Sequence, residues 1–182
     1  MSEEAIVRNC APTLAGIKTG NLFSYPYRSA EEMRTAVRHW NRILRDKGVR
    51  IVPLRFEKNR ALIYVYRPSH LSGDLKNKDA AAILTRFGYP AASSGQCIVQ
   101  LIRRLRETAG FPHEIGLFLG YPPEDVTGFI EHRSDCRMTG CWKVYGDVQK
   151  CSRLFSAYKR CIRSCEAKLH RGVPVPAMTV AE

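Results

Sequence analysis

The chain has 182 residues, 45% of them hydrophobic, which suits one domain with a full core. Lysine and arginine number 29 against 17 acids, a net charge of +12 that is concentrated in residues 28–60 and 133–171. No apolar run is long enough to span a membrane, and residues 1–9 carry acids and no signal-peptide core, so no membrane association and a cytoplasmic location are expected.

The first nine residues read as a frayed start. Cys10 to Tyr25 is apolar but punctuated by Pro12, Gly16 and Gly20. It reads as a short strand near Leu14–Lys18, a turn, and a strand near Leu22–Tyr25. Ser29-Ala-Glu-Glu32 is a capping box that opens a helix near 30–46. Met33, Ala36, Val37, Trp40, Ile43 and Leu44 form its apolar stripe, and Arg34, Arg38, Arg42 and Arg45 lie opposite. Arg50–Phe56 and Ala61–Arg67 predict an antiparallel hairpin turning at Asn59, with Pro53 marking an edge strand or a bulge.

Residues 68–76 read as a loop or a turn of helix. Helices follow near 78–87 and 95–108, the second opened by the capping box Ser93-x-x-Gln96 and ended by Gly110. Ile115–Leu119, bounded by Pro112 and Gly120-Tyr-Pro122, reads as a buried strand. Pro123, Glu124 and Asp125 open a helix near 123–131, and Trp142–Tyr145 reads as another strand. Strand, helix and strand in this order suggest a parallel crossover. Asp147 then caps a long helix near 147–170 whose stripe includes Cys151, Cys161 and Cys165.

These elements predict an α+β fold: a single layered domain over 1–172, a mixed sheet of four to six strands, about five packing helices and a long C-terminal helix. Residues 173–182 read as a flexible tail. The seven cysteines are odd in number, and the close pairs Cys136-x4-Cys141 and Cys161-x3-Cys165 lack zinc-knuckle spacing. They read as reduced structural thiols, with no metal site.

Three blocks are distinctive: Cys10-Ala-Pro-Thr-Leu-Ala-Gly-Ile-Lys18, Phe111 to Val126, and Cys141-Trp-Lys-Val-Tyr145. In these the chain resembles an uncharacterised bacterial family of anaerobes, the domain of unknown function 3793. That family has no established activity or cofactor. The resemblance implies a place in anaerobic iron or redox physiology, and its motif points to Cys10, Lys18, His113, Glu114, Lys143 and Tyr145.

Chemically, Cys10 is a candidate nucleophile activated by His113 or Lys18, and Glu114 a candidate acid or base. Lys143 and Tyr145 are candidate ligand-binding residues, with Lys143 suited to a small anionic ligand. These residues are expected to line one concave region. Two other readings stay open. The basic faces suit docking on an acidic redox or transport partner. Charge alone supports nucleic-acid binding, because no recognition motif accompanies it.

Overall fold

The computed structural model describes residues 1–91, 93–107 and 110–182. The fold is α+β. The chain divides into two compact units, one of Met1–Ser69 with Tyr158–Glu182 and one of His70–Ala157.

The first unit begins with a helix that the sequence reading missed, α1 (Glu3–Leu14). Ser2 caps it by accepting from the Ala5 N–H, and Glu3 and Glu4 sit at its positive end. Pro12 falls in the last turn, where its missing N–H removes the helical bond to the Arg8 carbonyl, and the helix ends two residues later. Leu14 to Lys18 is therefore the exit from a helix and forms no strand.

Three antiparallel strands follow: β1 (Gly20–Pro26), β2 (Arg50–Glu57) and β3 (Arg60–Tyr66), in the order β1-β3-β2. The predicted hairpin is β2–β3. Pro53 lies on an edge strand, and the register slips between Pro53 and Arg55, as a proline without an N–H requires. Helix α2 (Ala30–Leu44) lies between β1 and β2 in sequence and is capped by Ser29. It buries Met33, Val37, Trp40 and Leu44 against Ile6, Cys10, Ile51, Ile63 and Val65.

One buried charge ties this unit together. Arg67 is 0% exposed. Its guanidinium donates to the carbonyls of Thr13 (2.7 Å) and Leu14 (2.7 Å) at the end of α1, Val180 (2.8 Å) and Lys47 (3.2 Å). It also meets the Glu182 carboxylate at 3.2 Å. Two of these acceptors are carbonyls left open at a helix C-terminus, where a cation is favoured. Residues expected to form a flexible tail are packed instead: Val175 and Met178 are buried, and the Val180 N–H bonds the Leu14 carbonyl at 3.0 Å.

The second unit is mostly helical: α4 (Lys78–Arg86), α5 (Ser94–Glu107), α6 (Ile115–Phe118) and α7 (Pro123–Ile130), entered through α3 (Pro68–Leu75). Ser93 and Gln96 form the predicted capping box. The expected helix end at 108 lies outside the described residues. Ile115–Leu119 is a correction: it folds as the short helix α6 and no parallel crossover forms. β5 (Lys143–Val144) pairs with β4 (Met138–Thr139) in a two-stranded antiparallel ribbon. The five described strands are thus divided between two antiparallel sheets.

Helix α8 (Val148–His170) belongs to the second unit up to Ala157 and to the first from Tyr158. Asp147 caps it, accepting from the Lys150 N–H at 2.9 Å. Helix α9 (Val175–Met178) completes the first unit. No helix among the described residues is long and apolar enough to cross a membrane.

Candidate functional site

The second unit contains a cleft of about 370 Å³, within the range of small-ligand sites. Its walls come from the loop before α6, from α6 and α7, and from the hairpin that carries β5. Ile115, Leu119 and Val126 line its apolar part. Gly116 also lines it, and a Cβ there would lie 2.8 Å from Val126 Cγ2 and 3.0 Å from Tyr121 Cδ2. The missing side chain is what lets Tyr121 and Val126 close together.

Aromatic rings dominate the rest. Tyr121 stacks on Trp142 with centroids 4.3 Å apart, and Phe155 meets the indole edge-on at 4.5 Å. His113 and Lys143, both exposed, border the cleft at the same ring: the imidazole lies edge-on to Phe129 at 4.9 Å, and Lys143 Nζ sits 5.7 Å from its centroid. A cation over an aromatic face is held electrostatically. No carboxylate among the described residues lies within salt-bridge range of Lys143.

Asp125 fixes this wall. From the first turn of α7 it accepts the Tyr145 N–H (2.7 Å) and Gly146 N–H (2.9 Å) on Oδ1. On Oδ2 it accepts the Trp142 indole N–H (2.8 Å) and the Cys151 thiol (3.6 Å). One buried carboxylate therefore binds α7, the hairpin and the start of α8. Tyr145 packs over Gly128 so closely that a Cβ there would collide with its ring. Burial pushes the Tyr145 hydroxyl pKa up, and burial with the nearby Asp125 pushes the Cys151 thiol up to about 11.

A second polar cluster lies beside the cleft and does not line it. Glu114, 1% exposed, receives the Arg104 Nε–H at 2.5 Å and the Tyr89 hydroxyl at 2.9 Å on the same oxygen. The Arg104 guanidinium also lies over the Phe87 and Tyr89 rings. Burial first, and the Glu114 charge second, hold the Tyr89 hydroxyl well above its ordinary range.

The motif residues thus fall into different surroundings. His113 and Lys143 come together at the cleft. Glu114 and Tyr145 are in the same unit but are committed to packing and internal hydrogen bonds. Cys10 and Lys18 belong to the first unit. Cys10 is 0% exposed in its core, where burial raises the thiol pKa more than Lys18 lowers it, so the sulfur is not placed to attack a solute. Lys18 is buried, with Nζ 5.9 Å from the Tyr158 ring. Sequence reasoning missed Phe111, Phe129 and Trp142 as site residues. The signal was present in the density of rings between 111 and 142, but rings are also what a core requires.

The fold and the cleft define a small basic α+β protein with an aromatic-walled cavity edged by one lysine and one histidine. Its sequence matches the family model described as Protein of unknown function (DUF3793) over residues 6–179, and the chain belongs to that family. No curated protein and no solved structure matches it.

Proposed function

We propose that this protein binds a small anionic molecule in the cleft of its second unit. One observation carries the reading: Lys143 and His113 converge on the Phe129 ring at the edge of an otherwise apolar cavity. A ligand with an apolar body and a negative head matches that distribution, since binding sites are mostly apolar with a few placed polar groups. The resemblance to a family of anaerobes supports reading this binding as part of cytoplasmic iron or redox physiology. Binding is the reading; a catalytic step is not part of it, because Cys10 and Glu114 are both shielded.

The test is calorimetric titration of a panel of small anions against their neutral counterparts. Saturable binding of an anion, lost in Lys143→Ala while the unfolding transition is unchanged, supports the reading. Tight, strongly salt-dependent binding of generic oligonucleotides with no anion bound would instead support a nucleic-acid role. A second reading rests on α2. Arg34, Arg38, Arg42 and Arg45 are all exposed along it, and that row suits docking of an acidic protein surface.

A further inference from the structure

The walls of the cleft carry information about the body of its ligand as well as its charge. Five lining side chains carry rings: Phe111, His113, Tyr121, Phe129 and Trp142. Trp142 is fixed on every side that the contacts describe. Tyr121 stacks on it, Phe155 meets it edge-on, and its indole N–H is tied to Asp125 at 2.8 Å. It is a preformed wall with little freedom left to lose on binding.

The mouth is different. Phe111 is 42% exposed and Phe129 37% exposed, two large rings left in water beside the cavity. Rings prefer offset-stacked or edge-to-face contact with other rings, beyond the gain from burial alone. An alkyl chain would fill the volume without using that preference.

The head group is constrained as well. Among the described residues no arginine lines the cleft, so the planar fork that grips phosphate in two places is missing. Lys143 offers a single point charge, and His113 adds one hydrogen-bonding edge. Asp125 also lines the cavity, but both its oxygens already accept donors from Trp142, Tyr145, Gly146 and Cys151. A ligand with one negative charge suits this balance better than a dianion.

We infer that the ligand is an aromatic carboxylate of one or two fused rings. Its flat body lies among Tyr121, Trp142 and the two exposed phenyl rings, and its carboxylate meets Lys143 and His113. This rests on the cleft being an anion-binding site, and the experiment separates the two claims.

Three probes are titrated into the full chain by calorimetry: 2-naphthoate, octanoate and 2-naphthylmethanol. They represent an aromatic anion, an aliphatic anion and a neutral aromatic. Two variants accompany them, Lys143→Met and Phe129→Leu, both at exposed positions and both checked for an unchanged unfolding transition. The expected result is 2-naphthoate binding at least about tenfold tighter than either other probe. Lys143→Met should weaken it by about tenfold, and Phe129→Leu should remove its advantage over octanoate. Equal binding of octanoate, still lost in Lys143→Met, overturns the aromatic body and leaves the anion site standing. Equal binding of 2-naphthylmethanol overturns the anionic head, and with it both claims. Binding of 2-naphthoate that ignores both variants also overturns both; no binding of any probe overturns the aromatic carboxylate, and the panel of small anions then decides the anion site.

Discussion

Asp125→Asn removes one negative charge from the wall of the cleft and almost no volume, so it isolates what the carboxylate does. Asp125 accepts from three N–H donors and one thiol. An asparagine can keep its oxygen on the Tyr145 and Gly146 N–H groups, but its NH2 must then face the Trp142 indole, which can only donate. The flipped amide would leave two backbone donors unmet, which is worse. The better rotamer therefore loses the indole bond outright, leaves the Cys151 thiol without its acceptor oxygen, and weakens two others from charge-assisted to neutral. A bond to a charged group contributes about 1.5–3 kcal/mol, and a buried donor left unmet costs roughly 1–3 kcal/mol. The expected destabilisation is about 2–4 kcal/mol. With a urea dependence of about 2 kcal/mol per molar, mid-range for a small protein, the midpoint should fall by roughly 1–2 M. The two tryptophans make the assay specific, because Trp40 lies in the first unit and Trp142 in the second. In a Trp40→Phe background, Trp142 fluorescence reports the second unit alone. A fall in the Trp142 transition of less than about 0.5 M would refute the account, because no single buried carboxylate would then be holding the hairpin to α7.

Arg67→Met should cost at least about 3 kcal/mol, read from Trp40 fluorescence, because the carbonyls of Thr13, Leu14, Lys47 and Val180 each lose a charged donor. Arg104→Met should cost about 3–5 kcal/mol, read from Trp142, since it leaves the buried Glu114 carboxylate without its cation. In native thiol labelling, exposed Cys141 should react first and fully buried Cys10 last. Cys165 should also label slowly at neutral pH: the Cys161 thiol beside it lowers its pKa below the ordinary thiol range, but the sulfur is buried. Stability should fall as pH rises from about 9 to about 11, because unfolded Cys151 ionises near the ordinary value of 9.0 while the folded thiol stays protonated to about 11. Cys151→Ala should flatten that alkaline decline in Trp142-monitored unfolding.

Much of the fold was legible where a periodic stripe coincides with a cap. Ser29, the Ser93 and Gln96 pair, and Asp147 each mark a helix start to within a residue. Pro53 pointed to an edge strand or a bulge, and β2 is an edge strand whose register slips beside it. The misreadings share one cause, which is that short apolar runs bounded by proline and glycine do not encode their own geometry. Ile115–Leu119 is apolar at every position but one, so it fits a buried strand and a buried helical turn equally well, and the outcome depends on what packs around it. Pro12 looked like a break because its place in the last turn of α1 cannot be known until the Ser2 cap is recognised.

The site was legible only by halves, and the reason is physical. Lys143 and His113 stand out in sequence because a charged or titratable group in an apolar block is unusual. What makes them a candidate site is a shared contact with Phe129, sixteen residues from His113 and fourteen from Lys143, and no periodicity relates those three positions. Glu114 stands out for the same reason as its neighbour but has the opposite fate. Its partners Arg104 and Tyr89 come from α5 and the loop before it, and they turn it inward. A polar residue in an apolar block is therefore ambiguous until its partners are known. When the partners satisfy it, as with Glu114, Asp125 and Arg67, the residue holds the fold together. When an aromatic ring merely props a charge at the edge of a cavity, as Phe129 props Lys143, the charge remains available to something else.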